Sequence, residues 1–322
     1  MWQAPALLAG VFALTLLAAA PLALALRGAI EAHLGRSLAA GAAADGVNYD
    51  WWQEFASQAS GLETTFTPAV IGFASTLDAI SGVLDAQARS VPIAAAAAAY
   101  LLAWTFLSGG ILDRYARQRP THAHGFFAAS GVFFWRFLRL GLVAALVYWL
   151  LFAYLHPWLL DDAYARLTRD LAEERQAFAW RALLYAVFGV FLLGATLVFD
   201  YARIRLVVED RRSALGALKA AVAFIRRHTR RVIGLHALAA LTFLALILVW
   251  SVAAPGAGSA GVSMWLGLLA AQLYMLARLG LKLQGMASQT SLFQASLAHA
   301  RYTSAPPPTW PDSPAEEAIA AR

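Results

Sequence analysis

Six long runs of apolar residues punctuate the chain, at residues 4–26, 91–112, 137–158, 178–199, 232–254 and 263–283. Each approaches or exceeds the roughly 20 residues that a helix needs to cross a hydrocarbon core. None alternates with the period of two that marks a barrel strand, and only helices or closed barrels satisfy their backbone polar groups in lipid. The pattern therefore predicts an all-α membrane protein with six transmembrane helices. The first run ends in Ala23-Leu24-Ala25, the small-x-small arrangement of a signal-peptide cleavage site. Its first ten residues carry no Lys or Arg and the run is long, so a retained span is expected.

Composition agrees and removes other classes. Of 322 residues, 60% are hydrophobic and 14% charged, with mean hydropathy +0.59. A soluble domain carries about 25% charged residues, so a soluble enzyme and a disordered chain are both excluded. There is no cysteine, which excludes disulfides, thiolate metal sites and cysteine nucleophiles. The net charge of +6 is informative only through its placement. Alternate connections hold eighteen basic residues on one side of the bilayer against seven on the other. By the positive-inside rule both termini are cytoplasmic, and the charge is a topological signal with no nucleic acid implied. Trp158, Trp180, Trp250 and Trp265 fall at outer span ends and Trp135 near an inner one, as interfacial tryptophans do.

The outer loop 27–90 is long and acidic. Within it Tyr49-Asp50-Trp51-Trp52-Gln53-Glu54-Phe55 predicts a short helix lying on the outer headgroups, anchored by Trp51 and Trp52. Residues 68–84 are apolar but short and contain Asp78, so a surface or re-entrant helix is expected in place of a seventh span. The two large inner connections resemble each other. Asp113, Tyr115 and Arg117 open the first, and Asp200, Tyr201 and Arg203 open the second. In the second, Leu215, Leu218, Val222 and Ile225 make an apolar stripe, with Ser213 as a helix N-cap. Segment 288–300 repeats the theme weakly. Two spans followed by an inner amphipathic helix is the inferred unit. Residues 1–303 thus form the six-helix membrane domain, and the proline-rich stretch 304–322 reads as a disordered cytoplasmic tail.

Candidate chemistry is sparse. No phosphate loop, HExxH helix or GxSxG elbow is present. His122 and His124 lack a third ligand nearby, so no metal and no cofactor is expected. Arg278 and Lys282 share a helix face near the inner end of the sixth span. With Arg139, Arg226 and Arg227 they are the candidates for contacting an anionic lipid or ligand, either by snorkelling to phosphates or by forming a headgroup site. His236 and Gln272 are the candidate polar residues of a cavity inside the membrane.

Six spans, a Gly-containing span end before a charged inner loop (Ser108-Gly109-Gly110-Ile111-Leu112-Asp113) and amphipathic helices between pairs complete the pattern. It resembles the bacterial six-helix membrane proteins of unassigned activity related to the membrane domain attached to some glycerophosphodiester phosphodiesterases. The resemblance covers residues 91–300 and implies multi-pass insertion in a bacterial inner membrane. It implies no catalytic residue here. The leading expectation is a non-enzymatic scaffold or accessory in envelope or lipid processes. Its partners would be membrane lipids, with a protein partner or a homo-oligomer also open. The alternative is a transporter or channel for a lipid-like or small substrate.

Overall fold

The computed structural model describes residues 5–44, 46, 48–68, 72–87, 91–118, 122–255 and 261–301. The proposed tail 304–322 lies outside them. Every regular element among the described residues is helical: α1 (Pro5–Leu34), α2 (Ala40–Ala44), α3 (Tyr49–Gln58), α4 (Gly72–Leu84), α5 (Val91–Arg117), α6 (Ala123–Leu150), α7 (Tyr164–Thr168), α8 (Glu174–Val208), α9 (Ala214–Arg227), α10 (Thr229–Ala253) and α11 (Val262–Arg301). Six helices are long and apolar enough to cross a membrane: α1, α5, α6 with its continuation to Thr168, α8, α10 and α11. Their outer surfaces keep large apolar side chains such as Leu146, Val190, Leu241 and Leu269 exposed, as lipid-facing helices do. Trp135, Trp158 and Trp265 are also exposed.

Several helices run well past the apolar stretches that mark them. α6 begins at Ala123, fourteen residues before the expected start at 137. No proline interrupts residues 123–150 and its glycines are tolerated, so the segment expected as a separate inner helix is the first part of the span. α6 also passes through Pro157. That residue lacks an N–H and crowds the carbonyl four residues back. Widened π-type turns at Leu151–Leu155 and Trp158–Ala163 absorb the mismatch and the helix continues. α11 likewise carries straight on through residues 288–300. Only α9, of the three inner helices expected, is a separate element. The break before it is local chemistry: Asp210 adopts a left-handed conformation (φ 47°), and the Ser213 hydroxyl accepts the Gly216 N–H at 3.1 Å, capping α9 as expected.

Burial is concentrated at the arginine-rich end, which holds the α5–α6 and α8–α9 turns. There α5, α6, α8, α9, α10 and α11 surround Leu112, Phe133, Phe137, Tyr201, Ile204, Phe224, Val232 and Phe293. α5 and α6 approach so closely that a Cβ built on Gly110 would lie 2.6 Å from Ser130 Oγ and 2.7 Å from the Phe126 carbonyl oxygen. The glycine permits the contact, and its N–H also donates to Ser130 Oγ at 3.2 Å. α9 turns Ala217, Ala221 and Phe224 inward, while Leu215 and Val222 of the anticipated stripe are exposed. Small residues let α9 lie close against α8, and hydrophobicity alone overlooks alanines as a packing face.

The opposite end is built differently. α3 is capped by Asn48, whose Oδ1 accepts the Trp51 N–H at 2.9 Å. Trp51 and Phe55 are buried against His33 and Phe66, and Trp51 Nε1–H donates to His33 Nδ1 at 2.9 Å. Trp51 is therefore a core residue of a small aromatic cluster and not the lipid anchor expected. α4 packs on α10. Its 13 residues extend about 20 Å, too short to span about 30 Å of hydrocarbon. His156 Nε2–H donates to the Leu84 carbonyl at 2.7 Å, and the Tyr185 hydroxyl donates to Asp85 at 2.8 Å, so the end of α4 is tied to α6 and α8.

Candidate functional site

Both Tyr-Ala-Arg segments with their preceding Asp, Asp113-Arg114-Tyr115-Ala116-Arg117 and Asp200-Tyr201-Ala202-Arg203, lie at the arginine-rich end, and both close one turn of helix onto themselves. In α5, Arg117 Nε lies 2.9 Å from Asp113 Oδ1, and Asp113 is buried. In α8, Arg203 lies 2.6 Å from Asp200 Oδ1. The spacings are i,i+4 and i,i+3, the two that bring helical side chains together. The segments do not pair with each other. They meet instead through α11: Gln289 donates to Asp200 Oδ2 at 3.4 Å, and Gln294 donates to the Ala116 carbonyl at 2.7 Å. Tyr115 sits at the edge of a second cluster formed by Trp104, Ile111, Leu279 and Leu283, whereas Tyr201 is buried in the main core with its hydroxyl unpartnered.

Further ion pairs, which the sequence reading did not single out, complete this end. Arg205 lies 3.4 Å from Glu209 and over the rings of Phe224 and Phe293. Arg211 also pairs with Glu209, and Arg136 of α6 pairs with Asp210. The Arg205–Glu209 pair was legible as an i,i+4 spacing on α8. The Arg136–Asp210 pair was not, because it joins α6 to the α8–α9 turn.

The two charges of α11 part company. Arg278 lies over Phe243 of α10 and over Tyr274, at 5.7 and 5.6 Å from the ring centroids. Lys282 lies 3.6 Å from the centroid of the buried Trp104 ring of α5. Each cation rests on an aromatic face, where the ring quadrupole attracts it. Arg139, Arg226 and Arg227 are exposed. Among the described residues no carboxylate pairs with any of these three.

His236 Nδ1 and Gln272 Oε1 are buried without hydrogen-bond partners. They do not share a site. α10 and α11 run antiparallel, with Phe243 beside Arg278 and Trp250 stacked on Tyr274 at 4.5 Å. His236 lies seven positions from Phe243 in one direction, and Gln272 six positions from Arg278 in the other. At 1.5 Å per residue the two are about 20 Å apart along the helices. His122 and His124 stand at the start of α6, and no group of three potential metal ligands occurs among the described residues.

One groove of about 550 Å³ opens at this end between α6 and the start of α9. It is lined by Arg139, Leu142, Val143, Arg212, Ser213 and Leu215. Arg139 was anticipated as a ligand contact, but Arg212 was not, because only the tertiary fold brings it alongside.

Comparison with family models, curated proteins and solved structures finds no match to this chain.

Proposed function

We propose that the chain is a non-enzymatic multi-pass protein of a bacterial inner membrane, with both termini cytoplasmic, acting as a scaffold or accessory in envelope or lipid processes. One observation carries the non-catalytic half: the carboxylates that converge at the arginine-rich end, Asp113, Asp200, Glu209 and Asp210, are each engaged with an arginine. Asp113 holds Arg117, Asp200 holds Arg203 and Gln289, Glu209 takes Arg205 and Arg211, and Asp210 takes Arg136. A general acid or base needs a free lone pair or proton facing a pocket. These carboxylates fasten helix ends instead. The cytoplasmic placement of that end, and the anionic lipid it would meet there, rest on the eighteen-to-seven distribution of basic residues.

Lipid retention tests the reading. The full chain in nanodiscs of mixed phosphatidylglycerol and phosphatidylcholine is released into native mass spectrometry. Preferential retention of phosphatidylglycerol supports the reading, and equal retention of both lipids removes its lipid half. The alternative, a transporter or channel, draws on the orphaned His236 and Gln272 atoms, which would suit a polar cavity at the midplane. Their separation of about 20 Å along the helices counts against a single substrate site between them.

A further inference from the structure

Four arginines crowd the neighbourhood where α6 meets the α8–α9 turn, and they divide into two kinds. Arg136 is paired with Asp210, and Arg211 with Glu209, which it shares with Arg205. Arg139 and Arg212 have no carboxylate partner among the described residues. The Nε–H of Arg139 donates to the Trp135 carbonyl at 3.2 Å, which anchors the side chain while leaving its charge uncompensated. These two unpaired arginines are the ones that line the groove of about 550 Å³. Its size lies in the range of small-molecule sites, about 300–1,000 Å³.

The walls of the groove differ along α6. Arg139 stands at the boundary of a charge-free stretch, residues 140–160, which is long enough to cross a membrane. Leu142 and Val143 lie about one turn further into that stretch, with Leu215 across from them on α9. Trp135, one turn on the other side of Arg139, is exposed, as interfacial tryptophans are. The groove thus has a cationic mouth at the depth of the headgroups and an aliphatic wall toward the acyl chains. Among the described residues no acidic side chain lines it. The Ser213 hydroxyl adds a neutral hydrogen-bonding group at the mouth.

We infer that this groove binds one anionic phospholipid, its phosphate held between Arg139 and Arg212 and its first methylenes against Leu142, Val143 and Leu215. Paired guanidinium forks match phosphate oxygens in geometry as well as charge. A free phosphate ion would use the same two arginines but leave the aliphatic wall unused, and the wall favours the lipid. The inference rests on the lipid-binding reading above and gives that reading one address.

The test compares three full-length proteins in phosphatidylglycerol–phosphatidylcholine nanodiscs, again by native mass spectrometry: the natural chain, Arg139→Gln with Arg212→Gln, and Arg230→Gln with Arg231→Gln at the start of α10. All four arginines are exposed, so the variants should fold, and unchanged thermal unfolding would check this. The groove pair should lower retained phosphatidylglycerol about tenfold, and the Arg230/Arg231 pair, which lies outside the groove, should leave it near the natural level. The conservative Arg139→Lys with Arg212→Lys should recover part of the loss. Equal retention by the natural chain and the groove variant would overturn the groove while leaving the wider lipid reading intact. A natural chain with no anionic preference would overturn both. Inorganic phosphate that binds the detergent-solubilised protein through the same arginines, with no lipid retained, would overturn the lipid as occupant.

Discussion

The two ends of this molecule are fastened by different physics. At the arginine-rich end the spanning helices extend beyond their apolar stretches and pack one continuous core, from Leu112 on α5 to Phe293 on α11. Short-range ion pairs such as Asp113–Arg117 and Asp200–Arg203 dress its rim. At the opposite end the chain uses short separate helices, a ring cluster of His33, Trp51, Phe55 and Phe66, and side chains that bond to backbone carbonyls. The first arrangement couples six helices, α5, α6, α8, α9, α10 and α11, so a fault there propagates. The second is a local assembly on the end of α1 and should fail locally. A protein held in lipid gains little hydrophobic driving force between helices inside the bilayer. The part of the helices that leaves the apolar stretch is where water-driven core packing can act.

The largest effect should come from Gly110→Leu. Even a Cβ there meets Ser130 Oγ and the Phe126 carbonyl below 3 Å, and a backbone carbonyl cannot swing aside. Overpacking of this kind costs about 3 kcal/mol or more. Because α5 and α6 both belong to the shared core, the whole transition should move, read as a lower thermal midpoint in detergent together with faster amide exchange in α8 and α11. If exchange rose only in α5 and α6, the coupling claimed for this end would be wrong.

Trp51→Ala makes the contrasting case. Removing a buried indole costs about 3 kcal/mol. Here the loss should stay in residues 33–66, seen as raised amide exchange around α3 and the end of α1, with α8 and α11 unchanged. Exchange that spread to the arginine-rich end would erase the distinction between the two regions.

The sequence reveals much of this and hides the rest for identifiable reasons. Apolar runs locate all six long helices, because a span must be apolar along its length. They misplace the ends at 137 and 283, because a search for apolar runs stops at a charge such as Arg136 or at polar residues such as Gln284, whereas a helix does not. Asp113 and Arg117 are both helical and satisfy each other. Ser213 as a cap was legible from local chemistry alone. The fate of Trp51 was not: burial or anchoring depends on whether His33 and Phe66 lie beside it, which local sequence does not say. At the candidate site the paired motifs were visible as spacings. The groove was not, since Arg139 and Arg212 are neighbours only through the docking of α9.

The smallest effect sharpens the comparison by asking how the tie on α4 responds to acid. The hydroxyls of Ser81 and Tyr185 both donate to Asp85, at 2.8 Å each, and the charges of Arg181 and His156 add attraction. Together, with the Ser81 bond contributing most, they hold the Asp85 carboxyl below its ordinary value. A depressed carboxyl stabilises the fold only while ionised. Its contribution is complete above the unfolded value of about 3.9 and disappears as pH falls through the lower folded value. Amide protection of α4, corrected for intrinsic exchange, should therefore hold steady from pH 7 to about 5 and fall only below about pH 4. Asp85→Asn should show weaker protection at neutral pH and none of that acid step. Protection lost already between pH 7 and 5 would show that the Asp85 carboxylate is not what holds α4. Throughout the titration the arginine-rich core should keep its protection, since none of its buried packing involves Asp85.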